Sequence, residues 1–148
     1  WADIAPHPKN MEEAKKMQQD FRNMFTDLQK RRVQDIIMES RKMNPAWPEE
    51  ERVPWAASKK QFDINIFDYI VINPRPFEEI VDKIQCPTLL ITADKGAVTQ
   101  ETAEKIGKLW KSKAPYRWVR INGAGHNIRR EQFDAFMKAV EDFLKEIG

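Results

Sequence analysis

Cysteine is nearly absent. Cys86 is the only one in 148 residues, which excludes a disulfide framework within the chain and a cysteine-based zinc site. A single thiol suits a reducing compartment, and a cytoplasmic protein is expected. No apolar run approaches the roughly 18 residues needed to span a bilayer, so no membrane partner is expected. There is no excess of one charge either: 25 Lys and Arg against 23 Asp and Glu leave a net charge of +2. Acids and bases alternate within MEEAKKMQQD, as on a solvated helix face, while KIGKLWKSK carries scattered lysines. That pattern argues against the basic face of a nucleic-acid binder. The opening WADIAPHPKN has no basic stretch followed by an apolar core, so it does not read as a signal peptide. A start on Trp1 reads as a cleavage point or the edge of a longer protein.

What is present divides near residue 75. Upstream the pattern is helical. Ala14, Met17, Phe21, Met24, Phe25 and Leu28, then Val33, Ile36 and Ile37, recur at the three-and-four spacing of one amphipathic helix, or of two meeting near Arg31–Arg32. Prolines at 45, 48 and 54 are expected to break the next stretch into short pieces. Phe62, Ile66, Phe67, Ile70 and Val71 suggest one more short helix. Trp47 and Trp55 are placed to hold these pieces together.

Downstream the pattern changes. PFEEIVDKIQ reads as a short helix, and CPTLLITA as a strand buried on both faces of a parallel sheet. Thr99 stands where it caps a helix running to about Ser112. YRWVRIN reads as a second strand. Residues 129–147 form the clearest helix, with Phe133, Phe136, Met137, Val140, Phe143, Leu144 and Ile147 on one stripe. Strand, helix, strand, helix predicts a right-handed βαβ unit. Two parallel strands alone leave both edges and much of both faces uncovered. The sheet therefore reads as the end of a larger one.

The text from CPTLLITADKGAVT to INGAGHNIRREQFDAFMKAVEDFL resembles the C-terminal part of an α/β-hydrolase. The resemblance covers residues 77–148, and residues 1–76 resemble the helical cap, or lid, of such enzymes. The fold class expected is α/β: a cap followed by two parallel strands and flanking helices, the sheet being completed by a preceding segment or chain. The resemblance implies that His126 is the triad histidine. A general base needs a strand-end turn tight enough to aim its ring at the nucleophile. Gly123 and Gly125 relax the backbone there, and Asn127 stands at the helix start as a cap. His7, between prolines, has no such setting and reads as exposed.

The pattern also departs from the family. Serines occur at 40, 58 and 112, and none lies in the G-x-S-x-G elbow. In the family the elbow and oxyanion loop precede the cap, which puts both before Trp1. Ser58 and Ser112 read as solvated surface, and Cys86 as core. In TADKGAV, Gly96 falls where the triad acid is expected. Asp94 is the nearest carboxylate, either orienting His126 or satisfying the turn's amides; an acid upstream of Trp1 stays equally open, with Asp3 a third choice. Met17, Phe21, Met24, Phe25 and Leu28 are candidates to line an apolar substrate pocket, or are ordinary core. Arg129 and Arg130 could meet an anionic substrate group or be solvated.

The expected activity is ester hydrolysis by a nucleophile–His–acid triad, with no metal and no cofactor. Epoxide, haloalkane, lactone and carbon–carbon bond hydrolysis stay open, because the missing elbow chooses between them. A companion polypeptide would carry the serine, and the substrate would be a small ester-like molecule. The alternative is a non-catalytic binding or interaction module.

Overall fold

The computed structural model describes residues 8, 10–69 and 76–148. They fall into two compact units, the first ending before Arg75 and the second running from there to Gly148. Asp3, His7, Ile70 and Val71, singled out above, lie outside the described residues.

The first unit is helical: α1 (Met11–Lys30), α2 (Val33–Met43), α3 (Glu49–Gln61) and a 3-10 helix, Ile64–Tyr69. Asn10 starts α1 by accepting the Glu13 amide at 2.9 Å, which satisfies one of the orphan donors of the first turn. The apolar periodicity is resolved as two helices, because Arg31 and Arg32 both adopt extended backbone. The carbonyl of Gln29 in the last turn of α1 accepts from the Lys60 ammonium, and the Gln29 amide donates to the Phe62 carbonyl.

One expectation is corrected here. The prolines do not break this stretch into short pieces, since α3 runs for 13 residues through Pro54. Pro48 sits at the N-cap, and three acids follow in the first turn, where they complement the helix dipole. Pro54 and Glu50 are both exposed, so the hydrogen bond lost at the Glu50 carbonyl can be replaced by water. Arg52 fastens α3 to α2 and the loop between them. It is 2% exposed and donates to the carbonyls of Trp47 at 2.8 Å and Asn44 at 3.0 Å, and to the Ser40 hydroxyl. Trp47 and Trp55 meet edge to face at 5.4 Å, joining the proline-rich loop to α3. Phe21, Phe25, Phe62 and Phe67 form an aromatic cluster between α1 and the 3-10 helix.

The second unit is mixed α/β: α4 (Glu78–Val81), β1 (Thr88–Ala93), α5 (Gln100–Leu109), β2 (Tyr116–Ile121), α6 (Ile128–Glu131) and α7 (Phe133–Ile147). β1 and β2 pair in parallel, Thr88 opposite Tyr116 and Ala93 opposite Ile121. With two residues per repeat, Leu90, Thr92, Trp118 and Arg120 share one face, and Ile91, Ala93, Val119 and Ile121 the other. α5 covers the first face, where Trp110 stacks on Tyr116 with centroids 5.0 Å apart. α7 covers the second, packing Phe136 against Ala93, Ile121, Ala124, Ile91 and Val119. Thr99 caps α5 by accepting the Thr102 amide at 3.1 Å.

Two further expectations are corrected. The last helix is not continuous: Gln132, at φ −141° and ψ 62°, separates α6 from α7. Its apolar stripe is only partly covered, since Phe133, Leu144 and Ile147 are exposed. Cys86, expected in the core, is exposed ahead of β1. Among the described residues no helix is long and apolar enough to cross a membrane.

Candidate functional site around His126

The C-terminal ends of both strands open into turns that meet. Asp94 directly follows β1, and residues 122–127 follow β2. The Asp94 carboxylate reaches across to the second turn. One oxygen accepts from Gly123 N–H at 2.7 Å, and the other accepts from Arg120 Nη2 at 2.9 Å and Nε at 3.1 Å. The Gly123 amide and then the Arg120 guanidinium hold this carboxyl below its usual range. Arg120 also donates to Gln100 Oε1 at 2.7 Å, tying the start of α5 to the same cluster.

His126 is exposed on the second turn, and its surrounding backbone groups are largely accounted for. Gly123 takes φ +75°, the left-handed region that glycine enters at little cost. Its N–H goes to Asp94, and its carbonyl accepts from Gln132 Nε2 at 3.4 Å. The Ala124 carbonyl accepts from Lys95 N–H at 3.3 Å. Both amides flanking His126, those of Gly125 and Asn127, donate to the single carboxylate of Glu131. The Asn127 carbonyl accepts from Arg130 and Glu131 as α6 begins. Contrary to the expectation above, the side chain of Asn127 does not cap α6; its oxygen accepts from Arg130 Nη1 at 3.2 Å. The result is a turn whose backbone is pinned at several points while one imidazole faces solvent. Among the described residues the His126 ring makes no hydrogen bond.

Of the acids weighed from the sequence, Asp94 is the one that lies among the described residues. It lies next to the His126 turn and accepts the Gly123 amide of that turn. Position 96 is tightly wound, since a Cβ on Gly96 would come within 3.3 Å of the Ala93 nitrogen. Ser112 precedes β2 and accepts from the Ala114 amide, at the opposite end of that strand from His126. Ser58 donates to the Trp55 carbonyl, and Ser40 is fully buried with its hydroxyl donating to Ile37.

The candidate substrate-contacting residues lie in the helical unit. Met24, Phe25 and Leu28 border a cavity of about 460 Å3 together with Ile36, Met43 and Trp55. An Arg31–Glu39 ion pair, 2.5 Å long, sits on its wall. Phe21 is instead in the aromatic cluster, stacked on Phe67 at 5.5 Å, and Met17 is half-buried. Arg129 is exposed and Arg130 half-buried.

Sequence reasoning did not single out Glu131, Gln132 or Arg120. The signal was an acid five positions after the histidine, close enough for a folded-back first turn to return it to the turn's amides. Among the described residues no group of three or more His, Cys, Asp or Glu side chains is placed to hold a metal ion. No family model, curated protein or solved structure matches this chain.

Proposed function

We propose that this chain is the cap and C-terminal part of an α/β-hydrolase-type enzyme, an esterase, in which His126 is the general base. A serine nucleophile and an oxyanion hole would come from a companion or preceding polypeptide. The observation that carries the reading is the His126 turn. Side chains from the end of β1, from α6 and from the α6–α7 junction fix its backbone, yet the imidazole itself stays exposed. Fixing a loop at this density orders a group that must be aimed.

The sheet supports a companion. β2 carries Arg117 and Arg120 among its six residues, as edge strands do, whereas TLLITA in β1 carries no charge. An uncharged strand whose second edge has no partner strand among the described residues fits the pattern of an interior strand. A further parallel strand from the companion would pair there.

In the reaction, the companion's serine oxygen bonds to the ester carbonyl carbon while His126 takes the hydroxyl proton. The tetrahedral intermediate expels the alkoxide, which leaves with that proton. Water then attacks the acyl-enzyme, giving its proton to His126, which returns it to the serine oxygen as the acyl–serine bond breaks and the acid departs. The helical unit, with its apolar cavity, is assigned the lid, and the compartment is assigned as the cytoplasm.

The test is turnover of p-nitrophenyl esters by the chain together with any polypeptide that copurifies with it, identified by intact mass. Activity that His126→Ala lowers by about a thousandfold supports the reading. Activity untouched by His126→Ala, or none with any companion, overturns it.

One observation favours the alternative of a non-catalytic interaction module. Both Asp94 oxygens serve the turn and Arg120 rather than the imidazole. Under that reading the purified chain unfolds cooperatively as a monomer and never hydrolyses esters.

A further inference from the structure

The geometry assigns Glu131 the role of positioning His126, an inference that rests on His126 being the general base. The carboxylate of Glu131 accepts from Gly125 N–H through Oε2 and from Asn127 N–H through Oε1 at 3.2 Å. These two amides bracket His126 on either side. Backbone on both sides of one residue is thus pinned to one rigid, planar, anionic group. Charge-assisted bonds of this kind are stronger than neutral ones, and holding both ends restricts the backbone rotation that would carry the ring away.

The arrangement demands a glycine at 125 for a reason unrelated to backbone angles. Gly125 does not occupy the left-handed region; among the described residues only Gly123 does. A Cβ at 125 would instead lie 2.9 Å from Glu131 Oε2 and 3.3 Å from Oε1. Gly125 and Glu131 therefore form one device: the missing side chain is the space through which the carboxylate reaches the amide. Glu131 is held half-buried because α6 lasts only four residues before Gln132 turns the chain, and α6 begins directly at the turn it clamps.

Glu131 touches no reacting atom in this scheme. Its effect runs through the backbone, so its removal should loosen the turn and leave the sheet intact.

The test uses amide hydrogen exchange by NMR on the full chain. In Glu131→Ala the Gly125 and Asn127 amides should exchange roughly tenfold faster or more. Glu131→Gln keeps the length and one acceptor oxygen, so it should slow one of the two again and give an intermediate result. Gly125→Ala should reproduce the effect by pushing the carboxylate away. Combined with Glu131→Ala, it should add little, since both changes break the same contact. Amides of β2 and of α7 from Phe136 onward should keep their wild-type rates. In the ester assay with the companion present, Glu131→Ala should lower kcat roughly tenfold and leave KM unchanged.

Unchanged exchange at Gly125 and Asn127, loosening spread evenly over the unit, or additive effects of the two substitutions would each overturn the assignment. So would a loosened turn with undiminished kcat in an enzyme that does depend on His126. If His126→Ala leaves turnover intact, the general-base reading fails, while the exchange data still decide whether Glu131 holds the turn.

Discussion

The Asp94 carboxylate accepts the backbone amide of Gly123 at 2.7 Å, joining the turn after β1 to the turn after β2. This bond and the Arg120 pair depress the carboxyl's pKa in the folded chain. A depressed carboxyl stabilises the fold above its ordinary pKa, and that contribution is lost as pH falls through the folded value. The turn should therefore stay tight down through the ordinary carboxyl range, about pH 4, and loosen only in more acid solution, as pH falls through the depressed folded value. The Gly123 amide shift in NMR should follow this titration, and Asp94→Asn should flatten it. A Gly123 signal that ignores pH in the wild-type chain would contradict the bond.

Gly123 itself should resist substitution. Its φ of +75° costs a residue with a Cβ about 1–2 kcal/mol. The new Cβ would also lie 3.3 Å from Gln132 Nε2. Urea denaturation of Gly123→Ala should show a loss of that order. Gly123→Asn should lose less, because asparagine enters this region more readily.

Arg52 should be among the costliest positions in the helical unit. Its guanidinium is buried and serves the Asn44 and Trp47 carbonyls as well as Ser40 and Glu49. Arg52→Ala leaves those carbonyls short of a donor and opens a void, so a loss of about 3 kcal/mol is expected. Arg52→Lys should not rescue it, because one ammonium cannot reproduce a planar fork aimed at several oxygens. Thermal melts of both variants decide the point.

Tyr116 points the other way. Its hydroxyl is buried with no hydrogen-bond partner among the described residues, while its ring stacks on Trp110. Tyr116→Phe keeps the stack and removes the unsatisfied group, so stability should stay level or rise by about 1 kcal/mol. Burial pushes the phenol above its ordinary pKa. A raised acid contributes stability below its unfolded pKa and loses it as pH rises beyond, so the variant should also be less sensitive to alkali above about pH 10.

Local rules sufficed where one residue decides its own surroundings. Thr99 caps α5 as threonine does in isolation, and TLLITA forms a strand because β-branched and apolar residues suit a covered parallel sheet. The division at Arg31–Arg32 was one of two patterns the apolar spacing allowed, and Lys60, more than a helix away, reinforces it at the Gln29 carbonyl. Pro54 misled because the local rule assumes that the lost hydrogen bond matters; on an exposed face water replaces it. Glu131 and Gln132 were unreadable for the opposite reason. Each looks like an ordinary polar residue at a helix start, and only the return of α6 onto the turn brings their side chains to Gly125, Asn127 and Gly123. The same holds for Arg120, whose partners Asp94 and Gln100 come from other elements.

The parallel pairing of β1 with β2 carries a consequence for the order of events during folding. Parallel neighbours cannot zip from a hairpin, so no ladder bond forms until the whole of α5 and both its loops have been closed into place. Loop closure must precede its reward, which slows the search. A helix that starts itself shortens that search. α5 carries its own Thr99 cap and Gln100–Glu104 pairing, so it can form before the strands meet and shrink the span between them. Weakening the cap with Thr99→Ala should therefore slow refolding of the unit, with a smaller effect on its unfolding rate.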